Sequence, residues 1–148
     1  MKEDYLIKIT GIQEIDGESD KVEIMTAGTL MHRDGKFLIK YTERDNDDPR
    51  IAIDNSLLIN GNSSVTIVRS LGTESRLLLE KGKRHQCIYT TIAGDLSVGV
   101  YTDFIKNTLV PDIGGKLSLK YSLDFNAGLV SNNELHITIT KKEGMKNV

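Results

Sequence analysis

The sequence predicts an all-β protein, a single antiparallel up-and-down β-barrel of about eight to ten strands. Alternation of apolar with other residues recurs along the chain. It is cleanest at Lys116–Phe125, where Leu117, Leu119, Tyr121, Leu123 and Phe125 share one face and Lys116, Ser118, Lys120, Ser122 and Asp124 the other. A period of two is that of a strand with one buried face. Turn signals separate these runs at roughly even spacing. No segment carries a helical period with caps: Thr73 is a candidate N-cap, but a capping box wants Glu or Gln three residues on, and Arg76 stands there.

The first strand is expected at Asp4–Glu14, with Tyr5, Ile7 and Ile9 in phase. Gly11 puts Ile12 out of that phase and reads as a β-bulge. Asp16 to Asp20 is a polar loop, and Lys21–His32 a second strand with a bend at Gly28. Arg33-Asp34-Gly35 is a tight hairpin turn into Lys36–Glu43. Arg44–Arg50 is the most polar segment; it lacks the spacing of a calcium loop and reads as a solvated loop at a barrel mouth. Arg50–Asn60 follows, with Ile51, Ile53, Asn55, Leu57 and Ile59 on one face, and Asn60-Gly61 turns the chain into Ser64–Ser70. Glu74–Lys81 is next, closed by Gly82-Lys83. Arg84–Ile92 and Leu96–Leu109 form a hairpin around Ala93-Gly94-Asp95, where Gly94 supplies a positive φ. Pro111 and Gly114-Gly115 lead into Lys116–Phe125, and Leu129–Thr140 is the last strand. Sequential short hairpins favour a barrel, since neighbours in sequence tend to pair, and closure removes edges.

The 148 residues suit one domain, 1–148, with a charged tail over about 142–148 expected to fray. A net charge of −2 offers no basic field for nucleic acid. No apolar run approaches the ~18 residues of a membrane span. The charged opening MKEDYLIKIT is unlike a signal peptide, so a cytoplasmic protein is expected. Cys87 is the one cysteine, which excludes an intrachain disulfide, and no cofactor motif is present.

His85, Cys87, Tyr89 and Thr91 lie on one strand face at spacing two. Neighbours at that spacing sit about 7 Å apart, too far for a Cys–His nucleophile pair, so the group reads as a polar lining or an outer face. Arg69, Arg76 and Arg84 come from three consecutive strands; such arginines more often lie outside in solvent, but converging inside a barrel they would receive a carboxylate or phosphate. Three scattered histidines make no metal motif. His85, Tyr89, Thr91, Tyr121 and Arg76 are therefore the candidate ligand-binding residues, and no catalytic residue is nominated.

Tyr89, Thr91, Gly94, Leu96, Gly99, Val100 and Thr102 read Y-x-T-x-x-G-x-L-x-x-G-V-x-T. With Glu80-Lys81-Gly82-Lys83 before them and Leu117-Leu119-Tyr121-Leu123 after, they resemble the YwiB-like family of small bacterial proteins, a domain of unknown function, over nearly the whole chain. The resemblance implies a calycin-type, lipocalin-like barrel and no established activity. The chain lacks Trp, including the Gly-x-Trp signature of true lipocalins, so the resemblance does not imply a secreted carrier function. The expected function is binding of a small amphipathic or apolar ligand inside the barrel. A filled barrel serving as an interaction module or homodimer is the rival, and an enzyme using the cavity a third class.

Overall fold

The computed structural model describes residues 4–44, 47–48, 50–71, 73–91, 94–125 and 128–142. The expected tail from 143 onward, and Ile92 and Ala93 of the 92–95 turn, lie outside the described residues. The strands are β1 (Tyr5–Ile15), β2 (Glu18–Arg33), β3 (Lys36–Arg44), β4 (Ala52–Asn60), β5 (Ser64–Leu71), β6 (Thr73–Glu80), β7 (Arg84–Thr91), β8 (Gly94–Asn107), β9 (Gly114–Phe125) and β10 (Leu129–Lys141). They form one antiparallel 10-stranded sheet in the order β6-β5-β4-β3-β2-β1-β10-β9-β8-β7.

The sheet is thus an up-and-down meander that curls until it is nearly closed. The β1–β10 ladder, from Tyr5↔Lys141 to Glu14↔Asn132, joins the first strand to the last. The remaining seam lies between β6 and β7. These strands follow one another through Lys81–Lys83, yet each pairs along its length with its other neighbour, β6 with β5 and β7 with β8. Only near their shared turn is the seam stitched, by the Lys81↔Thr102 bridge and by Gly82 N–H donating to the Thr102 carbonyl at 2.8 Å.

The inward phase of every strand fills one core. Ile7, Ile39, Leu57, Ile59, Leu79, Leu117, Leu119 and Ile137 are its largest fully buried side chains. Burying one such side chain contributes about 1.5–3 kcal/mol.

Several local expectations change. Gly11 is no bulge: it pairs in register with Leu135 and Val22, as do the residues on either side. It faces inward like Ile7 and Ile9, and there its missing side chain leaves space rather than bending the strand. The register shift falls in β8 between Thr102 and Phe104. The odd residue there changes the inward phase from Val98, Val100 and Thr102 to Ile105.

The loop expected over Asp16 to Asp20 shrinks to Asp16-Gly17, both at positive φ (51° and 81°), and β2 resumes at Glu18. This primed turn matches strand twist, as Asp34-Gly35 does in the next hairpin. At Gly28, β2 leaves β1 for β3. A Cβ there would strike the Ile7 side chain and the Lys40 carbonyl, so a close approach requires the glycine. Gly94 has the expected positive φ, 121°, as the first residue of β8.

Candidate functional site

One end of the barrel interior is not filled. Toward the ends of the strands where β3 finishes and β4 begins, the inward phase turns from aliphatic to polar and aromatic. Tyr41 and Glu43 continue the phase of Phe37 and Ile39 on β3, Asn55 precedes Leu57 and Ile59 on β4, and Arg69 follows Val65 and Ile67 on β5. Tyr89, Tyr121 and Asn133 do the same on β7, β9 and β10. Around them lies a cavity of about 360 Å³, walled by Ile24, Leu57, Ile67, Leu77, Leu123 and Leu135. That volume is at the small end of the range for ligand pockets, about 300–1,000 Å³.

The polar groups are partly paired. Asn55 Nδ2 donates to Glu43 Oε1 at 2.9 Å, and the Arg69 guanidinium meets the same oxygen at 3.5 Å. Gln13 Nε2 donates to Asn133 Oδ1 at 3.2 Å, and Asn133 Nδ2 donates to Ser131 Oγ at 3.0 Å. Among the described residues, the hydroxyls of Tyr41, Tyr89 and Tyr121 have no hydrogen-bond partner. Burial pushes the Tyr41 phenol well above its ordinary pKa of 10.0, and Glu43 adds to the rise. Burial raises Tyr121 likewise, with Tyr89 adding and Arg69 opposing. All of these groups act on one small volume.

The raised phenols have a consequence for alkaline stability. Above pH 10 the unfolded chain releases the Tyr41 proton while the fold still holds it, so stability falls as pH rises and is intact below that point. The melting temperature is expected to drop more steeply between pH 9 and 11 in the wild-type chain than in Tyr41→Phe. Parallel curves for the two chains would contradict the assignment.

The candidate residues from the sequence do not all gather here. Tyr89 and Tyr121 line the cavity. His85 shares the β7 face with Tyr89 but lies nearer the β6–β7 turn, where its Nε2 is 2.8 Å from Glu80 Oε1. That contact, with Lys83 assisting, holds the Glu80 carboxyl below its usual range. Arg76 takes the opposite phase to Leu77 and Leu79, is exposed, and donates to Glu74 Oε1 at 2.8 Å. Thr91 ends β7, and its side chain lies outside what the structure describes.

The three arginines therefore do not converge. Arg69 alone of them lines the cavity, while Arg84 spans Gly99 on the outer face to reach Asp124 at 2.8 Å. Alternation separates them: Arg69 is in phase with buried Val65, whereas Arg76 and Arg84 are out of phase with the inward residues of their strands. Tyr41, Glu43 and Asn133 escaped the sequence reading, and Asn55, placed there on the aliphatic face of its strand, was not taken as a site residue. Their signal is a polar residue holding the phase of an adjoining inward run.

Cys87 faces inward, half-buried against the core. Within the Arg44–Arg50 segment, Asp45, Asn46 and Pro49 lie outside the described residues. Arg50 there clasps Asp48 through Nε at 2.9 Å and Nη2 at 3.0 Å. No group of three metal-ligating side chains occurs among the described residues. A more open groove of about 700 Å³ near the opposite end runs past Met31, His32, Phe37, Leu38, Leu58 and Pro111. Its charged members Arg33, Asp34 and Lys36 are solvent-exposed, so it offers no desolvated polar centre like that of the interior. No helix of the described structure is long and apolar enough to cross a membrane.

Over residues 7–137 the chain matches the family described as Domain of unknown function (DUF1934). The crystal structure of the ywiB protein from Bacillus subtilis superposes with a TM-score of 0.74 at 18% sequence identity, covering 94% of this chain and 92% of that one. At that identity the likeness speaks for the fold alone. No curated protein matches the chain.

Proposed function

Because the chain belongs to the DUF1934 family, a YwiB-like domain of unknown function, we propose its role from the barrel itself: it binds a small, partly apolar ligand in the interior cavity. The observation that carries the proposal is the unfilled 360 Å³ end of the barrel, where an aliphatic wall meets tyrosine hydroxyls that have no protein partner among the described residues. A barrel serving only as a scaffold would gain stability from filling that space with side chains. A cytoplasmic setting goes with the proposal.

The test is a thermal-shift panel of fatty acids, acyl esters, haem and aromatic metabolites. A ligand that binds the native state raises the melting temperature, by an amount that grows with the logarithm of its concentration above Kd. At least one compound is expected to do so, and Leu135→Phe, which adds volume to the wall, should abolish its shift. His85→Ala should leave the shift intact. A panel with no response, or shifts indifferent to Leu135→Phe, would remove the proposal and favour an interaction module, to be sought as a dimer by sedimentation.

A further inference from the structure

Resting on the reading of the cavity as a ligand site, we infer that its ligand is a monocarboxylate of about a dozen non-hydrogen atoms. Arg69, Tyr41, Tyr89 and Tyr121 hold the carboxylate, and the apolar body lies against Ile24, Leu57, Ile67 and Leu135. Size follows from volume: at ~30 Å³ per water-sized group, 360 Å³ holds roughly twelve.

Charge follows from the balance of donors and acceptors. Arg69 offers five N–H donors in a fork; its one hydrogen bond among the described residues is the 3.5 Å approach to Glu43, and its side chain is 40% exposed, so the other donors face water. That bond is long beside the ~2.7–2.9 Å of a well-made charge-assisted bond, so the fork is largely unspent. The tyrosine hydroxyls add donors without partners among the described residues. Burial raises the Tyr41 and Tyr121 phenols further above neutral pH, so both stay protonated and able to donate.

On the acceptor side stands Glu43, whose Oε1 already receives Asn55 at 2.9 Å. An ammonium ligand would find this one carboxylate and the repulsion of Arg69. A carboxylate would find the fork and the hydroxyls, with Glu43 as the group opposing it. The sign of the Glu43 effect is therefore fixed: removing its charge should tighten binding.

The experiment titrates the full chain by calorimetry with decanoate, decanol and methyl decanoate, which match in body and differ in head. Decanoate is expected to bind the wild-type chain about tenfold or more tightly than the other two. Arg69→Met should erase that preference while leaving decanol binding in place, and Glu43→Gln should tighten decanoate several-fold. Equal binding of all three overturns the carboxylate assignment and leaves the ligand cavity standing. Absence of binding by any of them, with Leu135→Phe melting as the wild type does in their presence, removes both. If Arg69→Met fails to fold, the wild-type preference together with Tyr121→Phe, expected to weaken decanoate and spare decanol, decides the matter.

Discussion

Leu119→Ala is expected to destabilise the fold by about 2–5 kcal/mol, whereas Ser122→Ala should stay within about 0.5 kcal/mol. Leu119 is fully buried at the centre of β9, between Leu135 on β10 and Ile105 on β8. Truncation there removes contacts on both flanks and leaves a void that a closed sheet has little freedom to collapse. Ser118→Ala, on the outer phase, gives up only a 3.0 Å hydrogen bond with His136 Nδ1, worth roughly 1 kcal/mol. Leu123→Ala should fall at the low end of the leucine range, because its side chain already borders open cavity. Denaturant melts measure all four. Equal losses on the two faces would mean the sheet is not packed on the side described.

Gly115→Ala should be more damaging than Gly94→Ala, although both glycines have a φ that disfavours side chains, 137° and 121°. At Gly94 an added Cβ meets nothing within 4 Å, so the cost is backbone strain of about 1–3 kcal/mol. At Gly115 it would collide with the Thr108 carbonyl oxygen and come within 2.9 Å of Leu109 Cα. Those are main-chain atoms where β9 begins beside the end of β8, held by Thr108 N–H donating to the Lys116 carbonyl at 2.9 Å. They cannot swing aside as a side chain would. Loss of soluble folded protein for Gly115→Ala beside a folded, weakened Gly94→Ala is the expected outcome. Equal melting temperatures would refute the steric account.

Strand identity was legible because each strand keeps its period of two, and Lys116–Phe125 carries it almost unbroken. Three features were not. The phase change at Asp103 has no sequence mark, since a bulge is specified by the partner strand as much as by its own residues. Gly11 broke the pattern in sequence and not in space: the residue that looked like a kink is an inward position left empty. The cavity's polar set was read by phase on β7, where His85 proved too near the β6–β7 turn, and by residue type at Arg76. Phase would have chosen Arg69 over Arg76, and it would have added Tyr41 and Asn55 from their adjoining aliphatic runs. Which arginine meets which tyrosine depends on how far the sheet curls, and that is a property of all ten strands together.

The β1–β10 ladder makes the order of strands around the barrel a ring, in which the covalent break and the hydrogen-bonded break fall at different places. Lys142 N–H donates to the Asp4 carbonyl at 2.9 Å, so the first and last described residues are neighbours, while the gap in pairing sits at β6 and β7, which the chain joins directly. Every other ladder pairs consecutive strands and closes a short loop. The β1–β10 ladder alone must close a loop spanning nearly the whole chain, and it carries the largest single closure cost in this topology. A circular permutant opened between Lys81 and Gly82, with Lys142 linked to Asp4, would keep every ladder and turn that distant closure into one more hairpin.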